Sequence, residues 1–92
     1  MAAVIRVPVD EVRRVAGEFR TASQQSQDIV NRMQGQVSNL QPQWEGMTQQ
    51  RFYGEFETWK TSMTQYVELL QSIAQQLEAI ATRFEQVDQA QA

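Results

Sequence analysis

The large apolar side chains fall into two stripes of unequal regularity. Phe52, Phe56, Trp59, Met63, Tyr66, Leu70, Ile73, Leu77, Ile80, Phe84 and Val87 follow alternating steps of four and three residues without a miss. A period of 3.5 residues marks a helix with a left-handed packing seam. Upstream, Val12, Val15, Phe19, Ala22, Ile29, Met33 and Leu40 keep similar spacing, with Ser26 and Gln36 as interruptions and Val30 and Val37 beside the stripe. Between the stripes lies Gln41-Pro42-Gln43-Trp44-Glu45-Gly46-Met47. Pro42 disfavours helix at Gln41, and Gly46 offers positive φ without steric cost. Thr48 suits an N-cap for the second helix. Pro8 suits a first helical turn, and Asp10 and Glu11 complement the positive end of the helix dipole.

The pattern predicts one all-α domain over residues 1–92. Helix one runs from about 8 to 40, the turn spans 41–47, helix two runs from about 48 to 88, and residues 89–92 form a frayed tail. Two long helices and a short turn make an antiparallel hairpin. Phe19, Phe52, Phe56, Trp59 and Tyr66 are assigned to the core by their helical spacing, whereas Tyr53 falls off the seam and is expected to be partly exposed. Gly17 and Gly35 interrupt helix one, either to admit a neighbour or merely loosening it.

Each helix of a hairpin has only one neighbour. One flank of the second seam therefore stays wet, as an apolar strip too long for a comfortable monomer. Pairing two hairpins into a four-helix bundle covers it, so Phe52, Phe56, Trp59, Met63, Tyr66, Leu70, Ile73, Leu77 and Ile80 are read as a joint core and dimer seam. The partner is a second copy or a different hairpin.

Composition narrows the function classes. The chain has 92 residues, sixteen Gln, no Cys and no His, and a net charge of −3. Without Cys or His there is no thiol nucleophile, no imidazole base and none of the commoner metal sites. No cofactor is expected. Glu55 and Glu57 flank Phe56 but, two apart on a helix, point away from each other. With no glycine-rich phosphate loop either, catalysis is not expected. The acidic balance disfavours nucleic acid. Residues 1–40 hold five basic and four acidic side chains, residues 41–92 three basic and seven acidic. No apolar run spans a bilayer. Met1 to Asp10 lacks the apolar stretch of a signal peptide and carries Arg6.

Trp44-Glu45-Gly46 admits a structural reading, with Trp plugging the hairpin end and Gly permitting the bend. In a mid-chain turn of a Cys-free, two-helix chain near one hundred residues, with Phe52 eight residues after the Trp, the motif says more. Together with Ile5-Arg6-Val7 and the second seam, it makes essentially the whole chain resemble the WXG family of small, early-secreted-antigen-like proteins exported by type VII secretion systems. The resemblance implies hairpins that dimerise antiparallel into a four-helix bundle, with itself or a paralogous WXG hairpin as partner. It implies export without a cleaved signal peptide, from the cytoplasm, through a membrane complex driven by an FtsK/SpoIIIE-like ATPase. It further implies an export signal combining the turn of one subunit, here Trp44 and Gly46, with a C-terminal Tyr-x-x-x-Asp/Glu element on its partner. The sequence departs from that element: no Tyr lies in its last twenty residues. Phe84 and Asp88 have the matching spacing, which places both on one helix face, although Phe84 is also a regular seam residue.

The resulting expectation is a secreted, dimeric substrate or adaptor of a type VII system. A membrane-active amphipathic hairpin is the alternative, disfavoured by Gln-rich, net acidic polar faces. An intracellular coiled-coil scaffold fits the seam equally well but gives the Trp44 turn no role beyond geometry.

Overall fold

The first helix, α1, spans Val9–Leu40, and the second, α2, spans Met47–Gln91. Between them lies a single 3-10 turn, Gln41–Gln43. A computed structural model describes residues 8–44 and 47–91; the side chains at 47–48 and 88–91 lie outside it. Glu45, Gly46, Ile5-Arg6-Val7 and the Asp88 carboxylate therefore fall outside the described residues, and Thr48, expected to cap α2, lies instead inside its first turn, because the helix already includes Met47.

The start of α1 follows its sequence closely. Pro8 sits at the N-cap with no side-chain cap. Its carbonyl accepts the Val12 N–H at 2.9 Å, which closes the first turn. Asp10 and Glu11 occupy that turn, where exposed N–H groups favour negative charge. The break between the helices differs from expectation. Gln41 precedes Pro42 yet is helical, with φ −53° and ψ −46°. The bias of a pre-proline residue against helix is partial, and Pro42 in the first turn of a 3-10 helix gives up no N–H that the turn needs. The chain turns extended only at Trp44, with φ −129° and ψ 119°. At the other end, the tail expected to fray from 89 is helical through Gln91. Gln and Ala are good helix formers, and no Pro or Gly stops them.

The described molecule is a rod of 71 × 21 × 15 Å. Its radius of gyration is 21.0 Å, against about 12 Å for a globular domain of this length. A thickness of 15 Å is one layer of helices, so every core residue has open surface close by. The centre of that layer is built from small side chains. Ala16, Ser23 and Val30 are the buried residues of α1, spaced seven apart; Val67, Ala74 and Ala81, also seven apart, are buried on α2 together with Phe56 and Leu70. Ser23 Oγ donates to the Val67 carbonyl at 3.3 Å, an approach that a larger residue at 23 would block. Gly17, Gly35 and Gly54 do not create this approach, because a Cβ on any of them would meet nothing within 4 Å.

One edge of this small-residue column is ionic. Arg13 bonds Glu85 and lies 3.9 Å from Glu78, which Arg20 also reaches at 3.2 Å. Nearer the turn, Lys60 Nζ donates to Gln34 at 2.8 Å. The Glu85 hydrogen bond raises the Arg13 pKa above its ordinary value. The short turn makes the two helices antiparallel, and these contacts mark their register.

Candidate functional site

The other edge is apolar and unfinished. Advancing one residue turns an α-helix by about 100°. Tyr66 therefore points well away from Val67 and the sister helix, and it is 49% exposed. Leu69 at 56%, Ile80 at 43% and Val87 at 46% are exposed along the same side, with Phe84. Ile29 and Leu40 add to it from α1. The expected seam thus divides. Phe56 and Leu70 are buried; Phe52, Trp59, Met63, Ile73 and Leu77 are half-buried; Tyr66 and Ile80 stand in solvent.

The placement of Tyr66 in the hairpin's own core is corrected by this division. The large residues form one flank, not the centre, because α1 packs closest where side chains are smallest. Spacing of large apolar residues could not identify Ala16, Ser23, Ala74 and Ala81 as the innermost positions. Their seven-residue recurrence, read with Val30 and Val67, was the available signal.

Two shallow grooves cross the apolar edge. One, of about 360 Å³, is bounded by Phe19, Ala22, Tyr66 and Leu70, with Glu18 on its rim. The other, of about 250 Å³, lies near the turn between Met33, Val37 and Leu40 of α1 and Phe52, Phe56 and Trp59 of α2, with Gln36 beside them. The groove on the opposite edge is lined by the polar residues Arg20, Ser23, Gln24, Gln71 and Gln75. The hairpin accordingly has a wet side and a greasy side.

The turn-end groove continues into an aromatic cluster. The Trp44 ring lies 5.1 Å from Phe52 and 6.4 Å from Tyr53, centroid to centroid. Phe52 stacks on Phe56 at 6.4 Å, and Phe56 on Trp59 at 5.5 Å. Trp44 thus leaves the 3-10 turn in extended backbone and folds onto the first turns of α2. Tilted and stacked rings at these distances add modestly to the area they bury. Tyr53, expected to be partly exposed, is half-buried, and its hydroxyl is buried without a hydrogen-bond partner among the described residues.

At the far end, Phe84 sits on the exposed apolar edge. The stretch of α2 from Met47 to Arg83 separates it from the turn, roughly 55 Å at 1.5 Å per residue. The two ends of one hairpin therefore do not meet. Among the described residues no group of three or more His, Cys, Asp or Glu is placed to hold a metal ion, and no helix is long and apolar enough to cross a membrane.

Comparison with known proteins gives a consistent result. The protein YukE of Bacillus subtilis is 35% identical over 89 residues, covering 97% of this chain and 92% of its own. The type VII secretion system extracellular protein A of Staphylococcus aureus is 25% identical over 87 residues, covering 95% of this chain and 90% of its own. The crystal structure of the secreted protein EsxB from Bacillus anthracis superposes with a TM-score of 0.84 at 38% identity, covering 95% of this chain and 99% of that one. The model of the family described as proteins of 100 residues with WXG matches residues 4–89. A hairpin whose mid-chain turn carries Trp44 and whose length matches throughout belongs to that WXG family.

Proposed function

We propose that the chain is a type VII secretion substrate that travels and acts as a pair of hairpins, through protein–protein contacts and without chemistry of its own. The observation that carries this reading is the apolar edge from Leu40 and Trp59 to Ile80 and Val87, which the sister helix leaves uncovered. Fully burying a large apolar side chain contributes about 1.5–3 kcal/mol. Half-exposed residues at several points along a rod therefore leave a substantial driving force for a second layer of helices. Two stacked layers make a four-helix bundle.

Pairing also gives the export elements a way to meet. Trp44 and Phe84 lie near opposite ends of the rod, so a reversed partner brings the turn of one subunit beside the Phe84–Asp88 segment of the other. The family resemblance supplies the role of that composite surface: recognition by an FtsK/SpoIIIE-like ATPase in the cytoplasm before export. The Bacillus anthracis and Staphylococcus aureus relatives are described as secreted or extracellular, which supports the same destination.

The test separates pairing from signalling. Ile80→Asp should convert the dimer to monomer, because it places a charge in the middle of the covered edge. Asp88→Ala should leave the dimer intact and abolish export from a cell carrying the secretion system. Normal export of Asp88→Ala would remove Asp88 from the signal, and export of a monomeric Ile80→Asp chain would remove pairing from the requirement.

A further inference from the structure

Two charged columns border the apolar edge. On α1, Glu11, Glu18, Gln25, Arg32 and Asn39 recur every seven residues. On α2, Glu55, Ser62, Leu69, Gln76 and Arg83 do the same. Residues seven apart stay on one edge of a helix in a left-handed bundle. Glu18 rims the groove floored by Phe19 and Leu70, and Leu69 is the most exposed large apolar residue described. Each column is acidic toward one end, basic toward the other and uncharged in the middle. The centres are Gln25 and Leu69.

Those centres lie at the same height along the rod. The Gln34–Lys60, Ser23–Val67 and Arg20–Glu78 contacts fix which residues of α1 and α2 are level. By that register Gln25 lies level with Leu69 to within about a turn of helix. A two-fold axis crossing the rod there stacks a reversed copy with α1 on α1 and α2 on α2. Glu18 then faces Arg32 of the second copy, and Glu55 faces Arg83 of the second copy, each pair occurring twice. The same operation sets Tyr66 against Ile73, Trp59 against Ile80 and Phe52 against Val87. A copy stacked in the same direction instead sets Glu18 opposite Gln76 and Arg32 opposite Ser62, and keeps one kind of opposite-charge pair, Glu11 with Arg83, where the reversed copy has two.

We propose that these two columns are a self-recognition code: the partner that covers the apolar edge is a second copy of this chain, running antiparallel, selected by Glu18–Arg32 and Glu55–Arg83 pairs across the interface. Charges flanking a helical seam set partner choice and direction more than raw affinity. Among the described residues Arg32 and Arg83 are in no ion pair within the hairpin. Glu18 and Glu55 touch only exposed neighbours one turn away on their own helices, Arg14 at 3.7 Å and Arg51 at 3.6 Å, contacts worth little alone. This inference rests on the pairing proposed above and adds its register and its partner.

Sedimentation equilibrium with three variants tests it. Glu18→Arg/Glu55→Arg and Arg32→Glu/Arg83→Glu should each self-associate about tenfold more weakly than the unmodified chain at low salt, with the difference shrinking at about 1 M salt. An equimolar mixture of the two should pair at least as tightly as the unmodified chain. The chain carrying all four substitutions should pair normally, which shows that the exposed substitutions do not act through misfolding. If the unmodified chain dimerises and the two charge variants dimerise equally well, the code is overturned while the pairing stands. A monomeric unmodified chain overturns both.

Discussion

The two edges of this hairpin use ion pairs and apolar surface in opposite ways. On one edge Arg13, Arg20, Glu78 and Glu85 join the helices across the layer, and polar residues finish the surface. On the other, Trp59, Tyr66, Ile73 and Ile80 are too large to fit between helices that approach as closely as Ser23 and Val67 do, so they spread outward. The first edge is complete in one chain and the second is not. In a thin helical layer, the largest apolar residues can therefore mark the face meant for someone else, while alanine and serine mark the fold's own centre.

The comparison breaks most visibly at the central column. Ala74→Leu should cost about 1–3 kcal/mol of stability in urea denaturation, because the three added carbons have no room between the helices. Tyr66→Ala is the matching change on the open edge. It should leave the helical circular dichroism of the hairpin nearly unchanged and weaken pairing by about 1–2 kcal/mol, read as a shift in the concentration dependence of mass. If Tyr66→Ala instead melts the monomer and Ala74→Leu does not, the two roles have been exchanged.

Smaller effects sharpen the picture. Gly17→Ala meets nothing within 4 Å and should raise thermal stability by about 0.5–1 kcal/mol from helix propensity alone. Loss of stability there would reveal a close contact from a second subunit. The smallest effect concerns pH. The hydrogen bond from Arg14 holds the Glu11 carboxyl below its ordinary value of 4.5. A folded-state pKa below the unfolded one stabilises above the unfolded value and is lost as pH falls through the folded one. Glu11→Gln should therefore flatten slightly the stability loss expected below pH 4.5 and leave neutral-pH pairing untouched.

The helices, their boundaries within a few residues and the open flank were all legible in the chain. Pro8, Pro42 and the uninterrupted steps of four and three from Phe52 to Val87 carry them. Two things were not legible. Gln41 remains helical before Pro42 because a single 3-10 turn satisfies both residues, a compromise that local preference does not reveal. The division of the second seam is not legible either, because side-chain size is a poor guide to burial where two helices pack closely. A residue such as Ala81 contributes little to any hydrophobic stripe, yet it is among the most buried positions. The candidate site was half visible: Trp44 and its packing on Phe52 follow from the motif and its spacing, but the buried Tyr53 hydroxyl does not.

The proposed pairing requires that the row from Trp59 to Val87 acquire a cover that its own chain does not provide. Sedimentation equilibrium of the unmodified chain measures this directly. Pairing predicts a particle of twice 10.6 kDa at micromolar concentration that dissociates on dilution. A well-folded helical species of 10.6 kDa at every concentration would contradict it.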